Sequence, residues 1–255
     1  MIHESAIIDS NAVIGKNVTV GPWTVIGADV VVGDDCNIGP HVVLKGPTIL
    51  GSNNQIYQFS TIGDDTPDLK YKGEPTRLIV GDNNVIREGV TIHRGTVQDN
   101  SETVIGSNNL LMAYVHIGHD CVVGDHVIMI NNSAIAGHVH VGDWSILSGF
   151  SMIHQYVNLG AHCFIGPAAF IYHDVPAYVT VSGNPVEPRT INREGLKRRG
   201  FSADDIALIN KAYKILYRRG LKLSEAILTI KNLGDQTVIS AFVESLEKSN
   251  RGIIR

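Results

Sequence analysis

Aliphatic residues recur at every sixth position over most of the chain. From Ile2 the series runs through Ile8, Ile14, Val20, Ile26, Val32, Ile38, Leu44, Leu50 and Ile56 to Ile62, and resumes at Val80, Ile86 and Ile92. After a one-residue slip it continues from Ile105 through Leu111, Ile117, Val123, Met129, Ile135, Val141, Leu147, Ile153, Leu159 and Ile165 to Ile171. A period of six fits neither the 3.6 of a helix nor the alternation of a half-buried strand. It fits a coil with three short flat sides, each presenting one aliphatic residue inward and turning at a small residue. Three hexads then make one coil, and stacked coils satisfy their peptide groups by pairing. The pattern predicts a mainly β protein: a parallel β-helix over 1–181, with its interior filled and its function on the outside or between subunits.

Two polar stretches interrupt the hexads, 64–79 (DDTPDLKYKGEPTRLI) and 94–103 (RGTVQDNSET), and read as loops thrown out from the coil. The repeat ends near Val175-Pro176, and 182–190 (SGNPVEPRT) reads as a linker. The remainder, 191–255, reads as an α-helical domain. Ser202 and Asp205 resemble a capping box before an apolar stripe of Ile206, Ile209, Tyr213, Leu216 and Tyr217. Further helices are expected from Ser224 and over about 236–248, closing the open end of the coil.

Charge changes this picture in one region. Between Leu110 and Tyr172 there is no Lys, Arg or Glu, and Asp120, Asp125 and Asp143 are the only acids. Met112, Tyr114, Phe150, Met152, Phe164 and Phe170 fall at outward positions, so this surface is expected to be buried in a homo-oligomer. Residues 18 apart occupy neighbouring coils. That arithmetic places Gly137 over His119 and Gln155 over Gly137, with Asp120, His138 and Tyr156 in the next column and His116 and His154 close by. A cluster of this kind is a better site candidate than scattered histidines.

The net charge of −4 gives no sign of a nucleic-acid partner. Cys36, Cys121 and Cys163 form no CxxC pair and suit free thiols in a reducing compartment. MIHESAIIDS lacks the basic and apolar segments of a signal peptide, and no run of about 18 apolar residues is present. A cytoplasmic chain without a membrane span is expected.

Particular motifs narrow the class. Ile56-Tyr57-Gln58-Phe59, Asp68-Leu69-Lys70-Tyr71 with Gly73-Glu74-Pro75-Thr76-Arg77, and Thr91-Ile92-His93-Arg94-Gly95-Thr96 lie in the first half. His116-Ile117-Gly118-His119-Asp120, Ala136-Gly137-His138-Val139, His154-Gln155 and Glu194-Gly195-Leu196-Lys197-Arg198-Arg199-Gly200-Phe201 follow. With these the chain resembles, over essentially its whole length, the UDP-N-acetylglucosamine O-acyltransferase family that begins lipid A synthesis in Gram-negative bacteria. The resemblance implies a left-handed coil, a homotrimer with sites between subunits, and transfer of a (R)-3-hydroxyacyl chain from acyl carrier protein to the 3-hydroxyl of UDP-N-acetylglucosamine, with no cofactor. Transfer to an unactivated hydroxyl needs a base, for which His119 is the candidate. Adjacent residues seldom pair across a coil, which ranks Asp120, as its orienting partner, below it. The Gly137 N–H, stacked beside His119, is the candidate oxyanion donor. The resemblance implies that Asp68, Lys70, His116, His138, His154 and Gln155 hold the sugar nucleotide, with Asn192, Glu194 and Arg198 reaching it from the helical side. It also makes Pro167 the acyl-chain ruler, with Phe170 or Pro185 as alternatives, and a chain of roughly ten to twelve carbons the expectation, since methylenes that do not fit lose burial. Ten of the 21 basic residues fall between Arg189 and Lys222, a plausible dock for an acidic carrier protein.

Three other readings fit less of the chain. A coenzyme A-dependent acetyltransferase shares the repeat but not the loops. A zinc enzyme would use His116, His119 and His138, and no metal is expected. A scaffold leaves the loops and histidines unexplained. The related N-acyltransferase carries a domain before its repeats, whereas the hexads here start at Ile2.

Overall fold

A computed structural model describes residues 1–234 and 236–255, Gln236 by its backbone alone. The hexad residues Val20, Ile26, Val32, Ile38, Leu44, Leu50, Ile56 and Ile62 are almost completely buried, and so are their successors to Ile171. Each such side chain contributes about 1.5–3 kcal/mol by leaving water. The strands bearing them are two to four residues long over Ile7–Ile171. They stack into three parallel sheets. The first sheet runs from Ile7–Ile8 to Phe170–Ile171 and includes Thr91–His93, His116–Ile117 and Met152–Ile153. The second runs from Val13–Ile14 to Asn158–Leu159, and the third from Thr19–Val20 upward. The chain is a left-handed parallel β-helix with C-terminal helices, as the hexads and the resemblance together predict.

The corners explain how so tight a coil closes. At most corners one residue in six adopts the left-handed backbone region, among them Asn17 (φ 56°), Asp35 (60°), Asn108 (61°), Asp120 (57°) and His162 (61°). Asn and Asp tolerate this region; Trp23, Phe59, Tyr114, Trp144 and Phe150 occupy it too, at about 1–2 kcal/mol each. Several of these rings stack on the neighbouring coil, as in Trp23–His41 (5.0 Å), His41–Phe59 (5.4 Å) and His126–Trp144 (3.9 Å). The interior also holds small polar residues just after corners, a feature the hexads did not announce. Asn54, Asn84 and Asn109 form a buried ladder: Asn54 Oδ1 accepts from Asn84 N–H at 2.9 Å, and Asn84 Oδ1 from Asn109 N–H at 2.9 Å. They satisfy backbone groups that the turn would otherwise leave unpaired.

Both loops are shorter than their sequence limits. Strand Thr61–Asp64 carries the chain to residue 64, and Arg77–Val80 returns it to the second sheet, so the excursion is 65–76. The other lies between Thr91–His93 and Glu102–Ile105. Residues 182–190, expected as a linker, are instead part of a hairpin: Val179–Ser182 extends the third sheet and pairs antiparallel with Glu187–Ile191. The cause is the burial of Val179, Val181 and Ile191, while the Gly183 turn (φ 106°) gives the stretch its linker-like composition.

Four helices follow: α1 (Arg193–Arg198), α2 (Ala203–Arg218), α3 (Leu223–Lys231) and α4 (Gln236–Glu247). Ser202 and Asp205 form the expected capping box on α2. Helix α3 begins one residue before Ser224, with Lys222 N–H donating to Glu225. Ala177 N–H donates to Ser245 Oγ (3.0 Å) and Tyr178 Oη to the Val238 carbonyl (3.1 Å), which seats the helices on the last coil. No helix among the described residues is long and apolar enough to cross a membrane.

Candidate active site

The corner between the first and second sheets gathers the predicted cluster. His119 and Asp120 are neighbours in sequence and nevertheless pair: Nδ1 of His119 lies 2.8 Å from Asp120 Oδ2. The left-handed backbone at Asp120 turns its carboxylate back toward the preceding ring, which is why the ordinary rule for adjacent residues fails here. Asp120 is completely buried. Burial alone would raise its carboxyl, but hydrogen bonds from His119 and from Thr96 hold it below its usual value. An ionised Asp120 takes the Nδ1 proton of His119 as a hydrogen bond and leaves Nε2 a bare lone pair, the form a general base needs. That Nε2 lies 3.8 Å from Asp68 Oδ2, so the 65–76 excursion reaches the histidine.

Gly137 stacks where the 18-residue arithmetic put it. A Cβ there would sit 2.5 Å from His119 Nε2, so only glycine leaves the base accessible. The His138 ring meets His119 edge-on at 4.8 Å and stacks on Tyr156 at 4.2 Å. His116 Nδ1 lies 2.8 Å from Thr91 Oγ1, and burial, with His93 and His119 nearby, lowers its pKa to about 4. His154 is half-buried beside Tyr172, and Gln155 is exposed one coil above Gly137. Lys70 is exposed on the excursion.

The structure adds residues that the sequence alone did not single out. Thr96 donates to Asp120 from both its N–H (2.8 Å to Oδ1) and its hydroxyl (2.6 Å to Oδ2), and Asp120 N–H donates to Thr103 Oγ1 at 2.8 Å. Asp99 Oδ2 lies 2.8 Å from His138 Nδ1. All three come from the second loop and its margins, whose polar composition was the available signal. The metal-type grouping among the described residues is His119, Asp120 and His138, with ligand atoms within 4.8 Å of one another; His116 is not part of it.

Asn192, Glu194 and Arg198 are not brought to this corner. They line a groove of about 560 Å³ with Leu110, Ile128 and Ile146, on the third sheet. In a three-sided coil that sheet faces away from the corner of the other two. Asn192 is also the N-cap of α1, accepting from Gly195 N–H at 3.2 Å and donating to the His162 carbonyl at 3.0 Å. Glu194 pairs with Lys197 at 3.0 Å, and Arg198 is exposed. Pro167 is exposed in the turn that leads into Phe170–Ile171. The first-sheet register aligns His116, Ala134, Met152 and Phe170 on successive coils, an outward row that becomes apolar as it leaves the site.

Fold and site together define a hexapeptide-repeat transferase. The family model for bacterial transferase hexapeptide repeats matches residues 1–33, 11–46, 29–64 and 102–129, and that for Udp N-acetylglucosamine O-acyltransferase domain 2 matches 174–254. An acyl-(acyl-carrier-protein):UDP-N-acetylglucosamine O-acyltransferase of Stutzerimonas stutzeri is 56% identical over 100% of this chain and 99% of its own, and one of Pseudomonas putida is 58% identical over 100% and 99%. The crystal structure of LpxA from Acinetobacter baumannii superposes with a TM-score of 0.97 at 48% identity, covering 100% of this chain and 99% of that one. The chain belongs to the UDP-N-acetylglucosamine O-acyltransferase family.

Proposed function

We propose that the protein transfers a (R)-3-hydroxyacyl group from acyl carrier protein to the 3-hydroxyl of UDP-N-acetylglucosamine, the first step of lipid A synthesis, in the cytoplasm. The observation that carries the mechanism is the 2.8 Å contact of His119 Nδ1 with the buried Asp120 carboxylate, which leaves Nε2 facing Gly137. The sugar hydroxyl attacks the thioester carbonyl while His119 Nε2 takes its proton. The Asp120 carboxylate stabilises the resulting imidazolium. The tetrahedral oxyanion is held by the Gly137 N–H, which donates to no other group among the described residues. Collapse breaks the C–S bond, and the imidazolium returns its proton to the departing thiolate. Asp68, Lys70, His116, His138, His154 and Gln155 bind the sugar nucleotide.

The separation of Asn192, Glu194 and Arg198 from His119 within one chain supports a homotrimer, in which the groove of one subunit faces the corner of the next. Exposed Tyr114, Phe150, Met152 and Phe170 are the apolar surface such packing would cover. The acyl chain lies along the row from His116 to Phe170, three coils or about 14 Å, and Pro167 limits its length. Purified protein given UDP-N-acetylglucosamine and acyl carrier protein thioesters of graded length should form the 3-O-acyl product. No product with any thioester would overturn the reading.

A further inference from the structure

The excursion 65–76 carries two residues assigned above to the sugar nucleotide, yet it lies outside the stacked sheets, so something must fix it over His119. Within the loop, Lys70 N–H donates to Asp68 Oδ1 at 2.8 Å, Tyr71 N–H to the Asp68 carbonyl at 3.0 Å, Lys72 N–H to Glu74 Oε2 at 2.8 Å and the Tyr71 hydroxyl to Asp65 Oδ1 at 3.2 Å. Its most deeply buried tie to the coil is Arg94. This side chain is 6% exposed, an unusual place for a guanidinium. One terminal nitrogen donates to the Gly63 carbonyl at 2.5 Å. The other donates to the Asp65 carboxylate and to the Tyr71 hydroxyl, the latter at 3.1 Å. Tyr71 Oη also lies 3.1 Å from the Glu74 carbonyl, so one guanidinium holds the loop at its start and, through Tyr71, in its middle. Neighbouring His93 donates from Nδ1 to the Asp65 carbonyl at 2.6 Å.

The same segment reaches the base. Two residues after Arg94, Thr96 directs both its donors, N–H and hydroxyl, to Asp120. Gly95 between them is buried, and a side chain there would run into the backbone of Glu102. The stretch 94–96 therefore cannot slacken at one end without moving the other.

We propose that Arg94, acting through Tyr71 and Asp65, is a positioning residue that sets Asp68 and Lys70 in register with His119. This rests on the reading of 65–76 as the arm that holds the sugar nucleotide. A planar fork suits three acceptors in different directions, and a lysine ammonium keeps the charge but not the fork. Arg94 touches no reacting atom, so its loss acts on binding geometry rather than on proton transfer.

The test uses the full-length protein with Arg94→Lys and Tyr71→Phe, and Arg77→Gln as a control that removes an exposed ion pair to Glu102 at the loop's exit. For Arg94→Lys the KM for UDP-N-acetylglucosamine should rise about tenfold, and for Tyr71→Phe about threefold, while the acyl-donor KM stays within about twofold. Hydrogen exchange of amides 65–76 should quicken in both variants and not in Arg77→Gln. Tyr71→Phe removes one hydroxyl and keeps the test readable if Arg94→Lys fails to fold. Faster exchange with an unchanged sugar-nucleotide KM overturns the proposal, as does unchanged exchange or an equal rise in both KM values. If the wild type acylates nothing, the functional reading fails, while the exchange measurement still decides whether Arg94 holds the loop.

Discussion

The corner at His119 and the groove at Arg198 are built on opposite principles. At the corner nearly every polar atom is used within one chain: Asp120 accepts from Thr96 twice and from His119, His138 is held by Asp99, and Arg94 secures the loop. At the groove an apolar wall of Leu110, Ile128, Ile146 and Phe164 meets exposed Glu194 and Arg198, with Glu194 pairing to exposed Lys197 on its own helix. A catalytic group must be preorganised before substrate arrives, and the interior of one chain can do that. The contrast fits the proposed homotrimer, in which the groove takes its value from the corner of a second subunit.

The strongest blow to the corner is His119→Ala, expected to lower turnover by about 10²- to 10⁴-fold with the oligomer intact. Turnover close to wild type would remove His119 as the base. Lys70→Ala is next: without the lysine's charge-assisted hydrogen bond from the arm, the sugar-nucleotide KM should rise about ten- to a hundredfold while the acyl donor is spared. A rise confined to the acyl donor would assign the loop to the other substrate.

The groove is best tested by mixing subunits. Arg198→Ala should be impaired alone, and co-refolding it with His119→Ala should restore up to about a quarter of wild-type activity, the statistical share of sites built from two intact halves. No recovery would mean that corner and groove do not meet across subunits. Pro167→Gly should shift preference toward longer chains by up to about fifteenfold for each added pair of methylenes, since each buried CH₂ is worth about 0.8 kcal/mol. An unchanged profile in competition between donors would move the ruler to Phe170 or Pro185.

The smallest effect is on stability and has one histidine in each region. Burial lowers both His116 at the corner and His162 behind the groove to about 4. Each is neutral in the folded chain at a pH where the unfolded chain, with an ordinary value of 6.5, binds a proton. Stability is therefore full above that value and falls as pH drops from 6.5 toward 4. Asp120, held low when folded, adds its own loss below its ordinary 3.8. The thermal midpoint of His116→Asn should slope less than wild type through the upper window, and that of His162→Asn likewise; identical slopes would remove burial as the cause.

The hexads fixed the aliphatic residue at the centre of each flat side, but not the second inward position two residues earlier, where Val30, Val42, Cys121 and Asn54 are also buried. Column arithmetic placed Gly137 against His119. It could not foresee the His119–Asp120 pair, which depends on a left-handed backbone at Asp120 rather than on spacing. It missed Thr96 and Asp99, which arrive from a loop whose path no period governs. It read 182–190 as a linker because turn composition outweighed the two valines that extend the third sheet.

By itself the sequence determined the coil, the two excursions, the chemistry-bearing histidines and the family, since these depend on periodicity and on contiguous motifs. The tertiary structure alone decided which side each group faces. It set Asp120 behind His119, tied Arg94 to the 65–76 loop, and turned Asn192, Glu194 and Arg198 to the far face. The physical reason is that hexads specify the inside of the coil, where packing permits one solution. The outside is settled by corner conformations and by hydrogen bonds between residues far apart in the chain.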